Sequence, residues 1–113
     1  MGGGRPVEQV RAALLEAMES RRELVAYSRL EAREMDRRAR EVERDALARV
    51  RALLGKAPAD PQLQQVLMRL ARMDEQLEAL QARTDIQERS RALERDDITW
   101  RAFEDIAWLL GIL

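Results

Sequence analysis

From Val7 to Leu54 the chain contains neither Pro nor Gly, and that run limits what it can fold into more than any other feature. Apolar residues recur along it at Val7, Val10, Leu14, Met18, Val25, Met35, Val42, Val50 and Leu53, the spacing of one face of an α-helix. Pro6 stands where a proline fits a first helical turn, since a helix start leaves its first N–H groups unpaired anyway. One unbroken helix here would reach about 70 Å at roughly 1.5 Å per residue. A monomer of 113 residues does not cover a stripe that long, so either the helix breaks or a partner covers it. Two candidate breaks are visible. Ser20-Arg21-Arg22-Glu23 fits a capping box, in which a hydroxyl and a carboxylate satisfy free backbone donors. Asp36 fits an N-cap before Ala39 and Val42. Ala32, Ala39 and Ala46 lie seven residues apart, and a seam of small side chains lets another helix approach closely.

"GKAPADPQ", residues 55–62, is the clearest turn. Gly55 suits the end of a helix and Asp60-Pro61 the start of the next. Leu63, Val66, Leu67, Leu70, Met73, Leu77 and Leu80 then form a broad helical face, which the short connection folds back on the preceding helix. Asp85, with Glu88 three residues on, marks a restart. Ile86, Leu93, Trp100, Phe103, Ala107 and Leu110 follow as one stripe. Asp96–Asp97 is a candidate kink in that last helix, or the cap of a separate final segment. Both Trp and the sole Phe fall between Trp100 and Trp108, a concentration that marks well-defined packing against the first helix or a second subunit. The expected fold is all-α: an elongated antiparallel bundle of three principal helices, with candidate breaks dividing the first into two or three segments, assembling as a dimer. Residues 1–5, with their Gly triplet, read as a flexible N-terminus and 6–113 as a single helical domain.

Composition narrows function by exclusion. The 20 basic and 21 acidic residues leave a net charge of −1. Nucleic-acid affinity rests on excess cationic charge, so no direct nucleic-acid contact is expected. Every basic residue but Lys56 is Arg, with acids interleaved throughout, as on solvated helix faces. With no Cys and no His, thiolate chemistry, disulfides, the commonest general base and the usual transition-metal ligands are all missing. No cofactor is expected. No apolar run approaches the roughly 20 residues of a membrane span, and the terminal "IAWLLGIL" lacks the basic flank of a membrane-surface helix. The location expected is cytoplasmic.

Two candidate sets of functional residues follow. Leu14, Met18, Val25, Trp100, Phe103 and Leu110 are the apolar positions expected at self-association or partner contacts, because a short chain with long helices leaves much apolar surface relative to its core. Arg21 is the odd polar residue: it falls on the apolar stripe between Met18 and Val25, where a charge should be paired, reach water or meet a ligand. "ALLEAMESRRELV", "REVERD" and "EALQ" resemble the helical chorismate mutases. That resemblance implies a dicarboxylate site in which Arg21, Arg44 and Gln81 contact the anion, with Glu41 and Asp45 nearby. Two cations of that pattern are displaced, however, onto Arg5 beside Gly4 and Arg33 beside Ala32, and residues after Gln81 have no role in it. A third reading, a de novo designed bundle, sits poorly with Arg21 on the core stripe and the Asp96–Asp97 pair, since idealised designs keep strict patterning.

A second resemblance covers more of the chain. "LLEAMESRRELVAYSRLEA", with Ser20, Glu23 and Tyr27 at a helix joint, is followed by "DRRAREV", with Asp36, Ala39 and Val42. The turn "GKAPADPQL", a long amphipathic helix and a "TDI" restart leading to "AFEDIAWLL" come next. In this order they resemble the YlbF/YmcA family of small helical bacterial regulators. The resemblance implies a non-enzymatic cytoplasmic adaptor that forms homo-oligomers, or hetero-oligomers with related small helical proteins. It also implies modulation of the endoribonuclease RNase Y, and thereby of messenger processing in competence, biofilm formation and sporulation.

Overall fold

The computed structural model describes residues 5–27 and 29–113, the side chain of Tyr27 excepted. They form four α-helices: α1 (Pro6–Tyr27), α2 (Ala32–Leu54), α3 (Pro61–Ala82) and α4 (Glu88–Leu109). No strand occurs among the described residues. The all-α expectation holds, and the first of the three expected helices is divided in two, one of the expected alternatives, giving four among the described residues. The flexible start expected over residues 1–5 lies outside the described residues, save for Arg5. The Arg5 carbonyl accepts the first helical bonds from the N–H groups of Glu8 and Gln9 at 2.9 and 3.1 Å.

Neither Ser20 nor Asp36 breaks the long run. Ser20 lies inside α1 and Asp36 inside α2. The chain instead turns between Tyr27 and Ala32, where Glu31 is extended (φ −62°, ψ 155°) and offers no side-chain cap. The reason is nonlocal. Folding there gives helices of 22 and 23 residues, matched in length, whose apolar faces meet over the halves away from the joint. Val10, Ala13, Leu14 and Ala17 of α1 share a core with Ala46, Leu47, Val50 and Leu54 of α2. A break at Ser20 or Asp36 would leave one helix much longer than the other and strip part of its stripe of cover. Ala39 and Ala46 of the expected small-residue seam are buried, whereas Ala32 is exposed.

Local chemistry sets the next turn as expected. Gly55 ends α2 at φ 65°, ψ −157°, a region that only glycine enters without strain. Asp60 caps α3, its Oδ1 accepting from the N–H of Gln62 at 2.7 Å and of Leu63 at 3.4 Å, with Pro61 in the first turn. The restart differs from expectation. Asp85 is not an N-cap: its carboxylate pairs with Arg83 at 3.2 Å, and α4 begins only after an extended Gln87. Arg91, in the first turn of α4, donates to the carbonyls of Leu80 (2.5 Å), Gln81 (3.4 Å) and Arg83 (2.7 Å). It thereby adds a second donor to Leu80, whose carbonyl also accepts from the Arg83 N–H at 3.2 Å, and serves two further acceptors at the end of α3.

Asp96–Asp97 does not end α4 or cap a separate segment, since the helix is continuous from Glu88 to Leu109. Each acid has an Arg partner instead: Arg44 at 3.4 Å for Asp96 and Arg101 at 3.0 Å for Asp97. The helix closes with Gly111 at φ 72°. The N–H of Gly111 donates to the Trp108 carbonyl at 3.0 Å, and that of Ile112 to Ala107 at 2.9 Å, the paired bonds of a Schellman end.

The helices pack as two hairpins, α1 on α2 and α3 on α4, joined mainly where α2 meets α4 and more lightly where α2 meets α3. The α3 face expected to fold back on α2 is therefore covered chiefly by α4. Leu63, Val66, Leu70 and Met73 of α3 and Ala102, Phe103, Ile106 and Leu110 complete a single core. The whole measures 47 × 38 × 21 Å, a slab with two broad faces. Among the described residues, no helix is long and apolar enough to cross a membrane.

Candidate functional site

Ala39, Glu43, Ala46 and Val50 follow one another at helical spacing on the buried side of α2, so a carboxylate is carried into the interior. Glu43 is 0% exposed. Arg40, one turn earlier, supplies its main counter-charge: Arg40 Nη1 lies 2.9 Å from Oε2, to which it donates, and 2.7 Å from Oε1. Arg21 of α1 approaches Oε1 with its Nε at 3.9 Å, an ion pair too long for a hydrogen bond. Both guanidinium groups lie over Trp100 of α4, with Cζ 4.4 Å from the ring centroid for Arg21 and 5.4 Å for Arg40. These are cation–π distances. Trp100 in turn stacks on the buried Phe103, with centroids 5.9 Å apart and planes 16° from parallel.

Burial pushes the Glu43 carboxyl above the usual carboxylate range. Arg40 and then Arg21 pull it back, Asp96 adds to the rise and Arg44 opposes it. Desolvation outweighs pairing here. Arg21 Nε and Glu43 Oε1 are both buried without an aligned hydrogen bond, so the cluster is charge-compensated but not fully satisfied. It joins α1, α2 and α4 at a single point. Arg21 is thus paired, as a charge on an apolar stripe should be. Glu43 was equally visible on the Ala39–Ala46–Val50 stripe and is the residue that sequence reasoning passed over.

The anion-contact set divides. Arg21 and Arg44 both act on Glu43, but Arg21 is engaged by Glu43 and Trp100, and Arg44 by Asp96. Gln81 lies at the end of α3, where its carbonyl accepts from Arg91. No hydrogen bond or ion pair joins Gln81 to either arginine. A dicarboxylate site needs converging free cations, and these cations already have partners within the chain.

The expected association set also divides. Leu14, Phe103 and Leu110 are 0%, 1% and 1% exposed, their apolar area already removed from water by the chain's own core. Met18 and Trp100 are half-buried against that core, and Val25 stands open. Trp108, expected among the packed aromatics, is 66% exposed, and Met68 of α3 is 72% exposed.

Met68 and Trp108 belong to one face. Two adjoining depressions on the outside of the α3/α4 hairpin share Arg69 and Leu109: one is lined by Gln65, Met68, Arg69, Arg72 and Leu109, the other by Arg69, Asp105, Trp108 and Leu109. A larger polar cleft continues from them along the hairpin, past Arg72, Gln76, Asp97, Arg101 and Glu104. Within the face Arg69 Nε donates to Asp105 at 2.6 Å, while Arg69 Nη1 is buried without a partner. Met68 lies off the Leu63–Leu70–Leu77 stripe, and this was the signal that could have singled it out. Compared with protein-family models, with curated proteins and with solved structures, the chain matches none.

Proposed function

We propose that this chain is a non-catalytic cytoplasmic adaptor that associates with itself, or with related small helical proteins, and acts by modulating a partner. By the resemblance of its sequence pattern to the YlbF/YmcA family, the partner process is RNase Y-dependent messenger processing. The observation that carries the reading is the open apolar face of the α3/α4 hairpin, where Met68 and Trp108 stand 72% and 66% exposed beside Leu109. Large exposed apolar side chains that adjoin one another mark interaction sites more often than those scattered singly, and Trp is the residue most enriched at binding hot spots. The paired state of Arg21 and Arg44 favours this reading over a mutase-like enzyme.

The test has two arms. Sedimentation equilibrium of the full chain should give a mass above 13.1 kDa at micromolar to millimolar concentration. Affinity capture from the native host should recover related small helical proteins and an RNase Y-like nuclease. A well-folded monomer that captures neither would overturn the proposal.

A further inference from the structure

Taking the self-association reading as its premise, we propose that the outer face of the α3/α4 hairpin is where a second copy of this chain docks. The two-fold axis runs along the hairpin, between the two helices. Three observations point to this arrangement.

The first is where the apolar area lies. Among the exposed large apolar side chains, Leu15 and Val25 lie on α1, ten residues apart, and Leu93 near the start of α4. Met68, Leu109 and Trp108 are joined through Arg69 and Leu109 into one surface. The level of the two helices is set by Arg69–Asp105 and by Gln62 Nε2, which donates to the Leu109 carbonyl at 2.6 Å. A two-fold axis along the hairpin lays α3 of one copy over α4 of the other at the same level. Met68 then meets the partner's Trp108, and its own Trp108 meets the partner's Met68. A thioether against an indole edge is a favourable contact.

The second is charge. The α3 side of the face carries Arg69 and Arg72, whereas the α4 side carries Asp97, Glu104 and Asp105 against one cation, Arg101. Four of these six are already paired within the chain, Arg69 with Asp105 and Arg101 with Asp97. Arg72 and Glu104 have no ionic partner among the described residues. The face is therefore positive along one helix and negative along the other. The proposed axis exchanges the two helices, so Arg72 meets the partner's Glu104 and the reverse. An axis perpendicular to the hairpin and lying in the face would instead set α3 on α3 and oppose like charges. Self-complementarity of this kind is what an isologous interface requires.

The third is area. Each helix has 22 residues and is about 33 Å long at roughly 1.5 Å per residue, and the pair spans about 20 Å at a helix diameter of roughly 10 Å. The face is thus on the order of 660 Å² before side-chain relief is added, close to the roughly 800 Å² per partner of a standard stable interface.

Charge exchange tests the arrangement without touching the core. Sedimentation equilibrium is run on the full-length wild type and on Trp108→Ala, Arg72→Glu, Glu104→Arg and the double variant Arg72→Glu/Glu104→Arg. Leu15→Ser, an exposed position on α1, serves as control, and far-ultraviolet circular dichroism checks that each variant is folded. The expected result is a dimer dissociation constant raised about tenfold or more in each of the three single variants, the loss of roughly 1.4 kcal/mol. The double variant should return to within about threefold of wild type, and Leu15→Ser should match the wild type. If wild type associates but Trp108→Ala and Arg72→Glu leave the constant unchanged, this face is wrong while self-association stands. If the single variants dissociate but the double variant does not recover, the two-fold arrangement is overturned. A wild type that stays monomeric at millimolar concentration removes the self-association reading and this inference together.

Discussion

Arg40→Met isolates the electrostatics of the buried cluster. The methionine keeps most of the arginine stem over Trp100 but removes the guanidinium that donates to Glu43 at 2.9 Å. Glu43, 0% exposed, is left with Arg21 Nε at 3.9 Å as its remaining ion-pair partner. Removing one member of a buried ion pair costs about 3–5 kcal/mol when the other charge is stranded. Here the cost is lower, because the Arg40 side chain is itself 23% exposed and Glu43 can take up a proton. About 2–4 kcal/mol at pH 7 follows. In urea, with a slope of roughly 1–3 kcal/mol/M, the midpoint moves down by about 1–2 M.

The pH dependence carries the decisive sign. Burial already raises the Glu43 carboxyl above 4.5, so the folded state binds more protons than the unfolded state in the window above that value. Glu43 therefore makes stability fall as pH climbs through its folded pKa. Losing Arg40 raises that pKa further and widens the window. The deficit of Arg40→Met should be largest at pH 7 and should shrink as the pH is lowered toward 4.5. Adding Glu43→Gln removes the stranded charge and should recover most of the loss at pH 7, leaving about 1 kcal/mol for the missing hydrogen bond. A loss below about 0.5 kcal/mol at pH 7, of the size seen for ordinary surface substitutions, would refute the reasoning. So would a deficit that does not change with pH.

Three local substitutions test the punctuation of the fold. Gly55→Ala meets no atom within 4 Å, so its cost is confined to the backbone at φ 65°, about 1–3 kcal/mol, read as a lowered melting temperature. Asp60→Ala removes the acceptor of the Gln62 and Leu63 N–H groups and should lose about 1 kcal/mol in urea titration, of which Asp60→Ser restores most. Arg91→Ala removes the side-chain donor to the Gln81 and Arg83 carbonyls and leaves that of Leu80 with the Arg83 N–H alone, and should lose about 1–2 kcal/mol by the same measurement. Arg91→Lys should regain less than half, because an ammonium group cannot reproduce the spread of a guanidinium fork.

These features differ in how far the sequence reveals them. The start of α3 is legible because its cause is local: Asp60, Pro61 and the two N–H groups they serve lie within a few residues. The α1–α2 joint is not, because two cap-like motifs, at Ser20 and Asp36, compete with a condition on the whole hairpin, that its two apolar stripes overlap. The start of α4 misleads for a related reason. Asp85 carries the right cap chemistry, yet Arg83 engages its carboxylate, and the helix begins where Arg91 can reach the end of α3. Asp96–Asp97 looks disruptive in one dimension and is harmless in three, since Arg44 arrives from α2 and Arg101 from the next turn. In the cluster, Arg21 and Glu43 each stand out on their own stripe. That they meet each other, and Trp100, depends on three helices crossing.

An off-pattern residue can therefore mean two opposite things, and the partners in the fold decide between them. Arg21 and Glu43 are charged groups on apolar stripes, and each finds its counterpart inside the chain, so the departure closes on itself and pins helices together. Met68 and Trp108 are apolar groups on a solvated face, with the charges of Arg72 and Glu104 beside them; none finds its counterpart among the described residues. Burial of Met68 and Trp108 would each remove well over 100 Å² of apolar surface from water, at roughly 25 cal/mol per Å². A stable core needs neither of them, since the core already closes around Phe103, Leu70 and Ile106. Their gain in free energy is available only to a second molecule, which is why the interaction reading rests on these residues and not on the buried Leu14, Phe103 and Leu110.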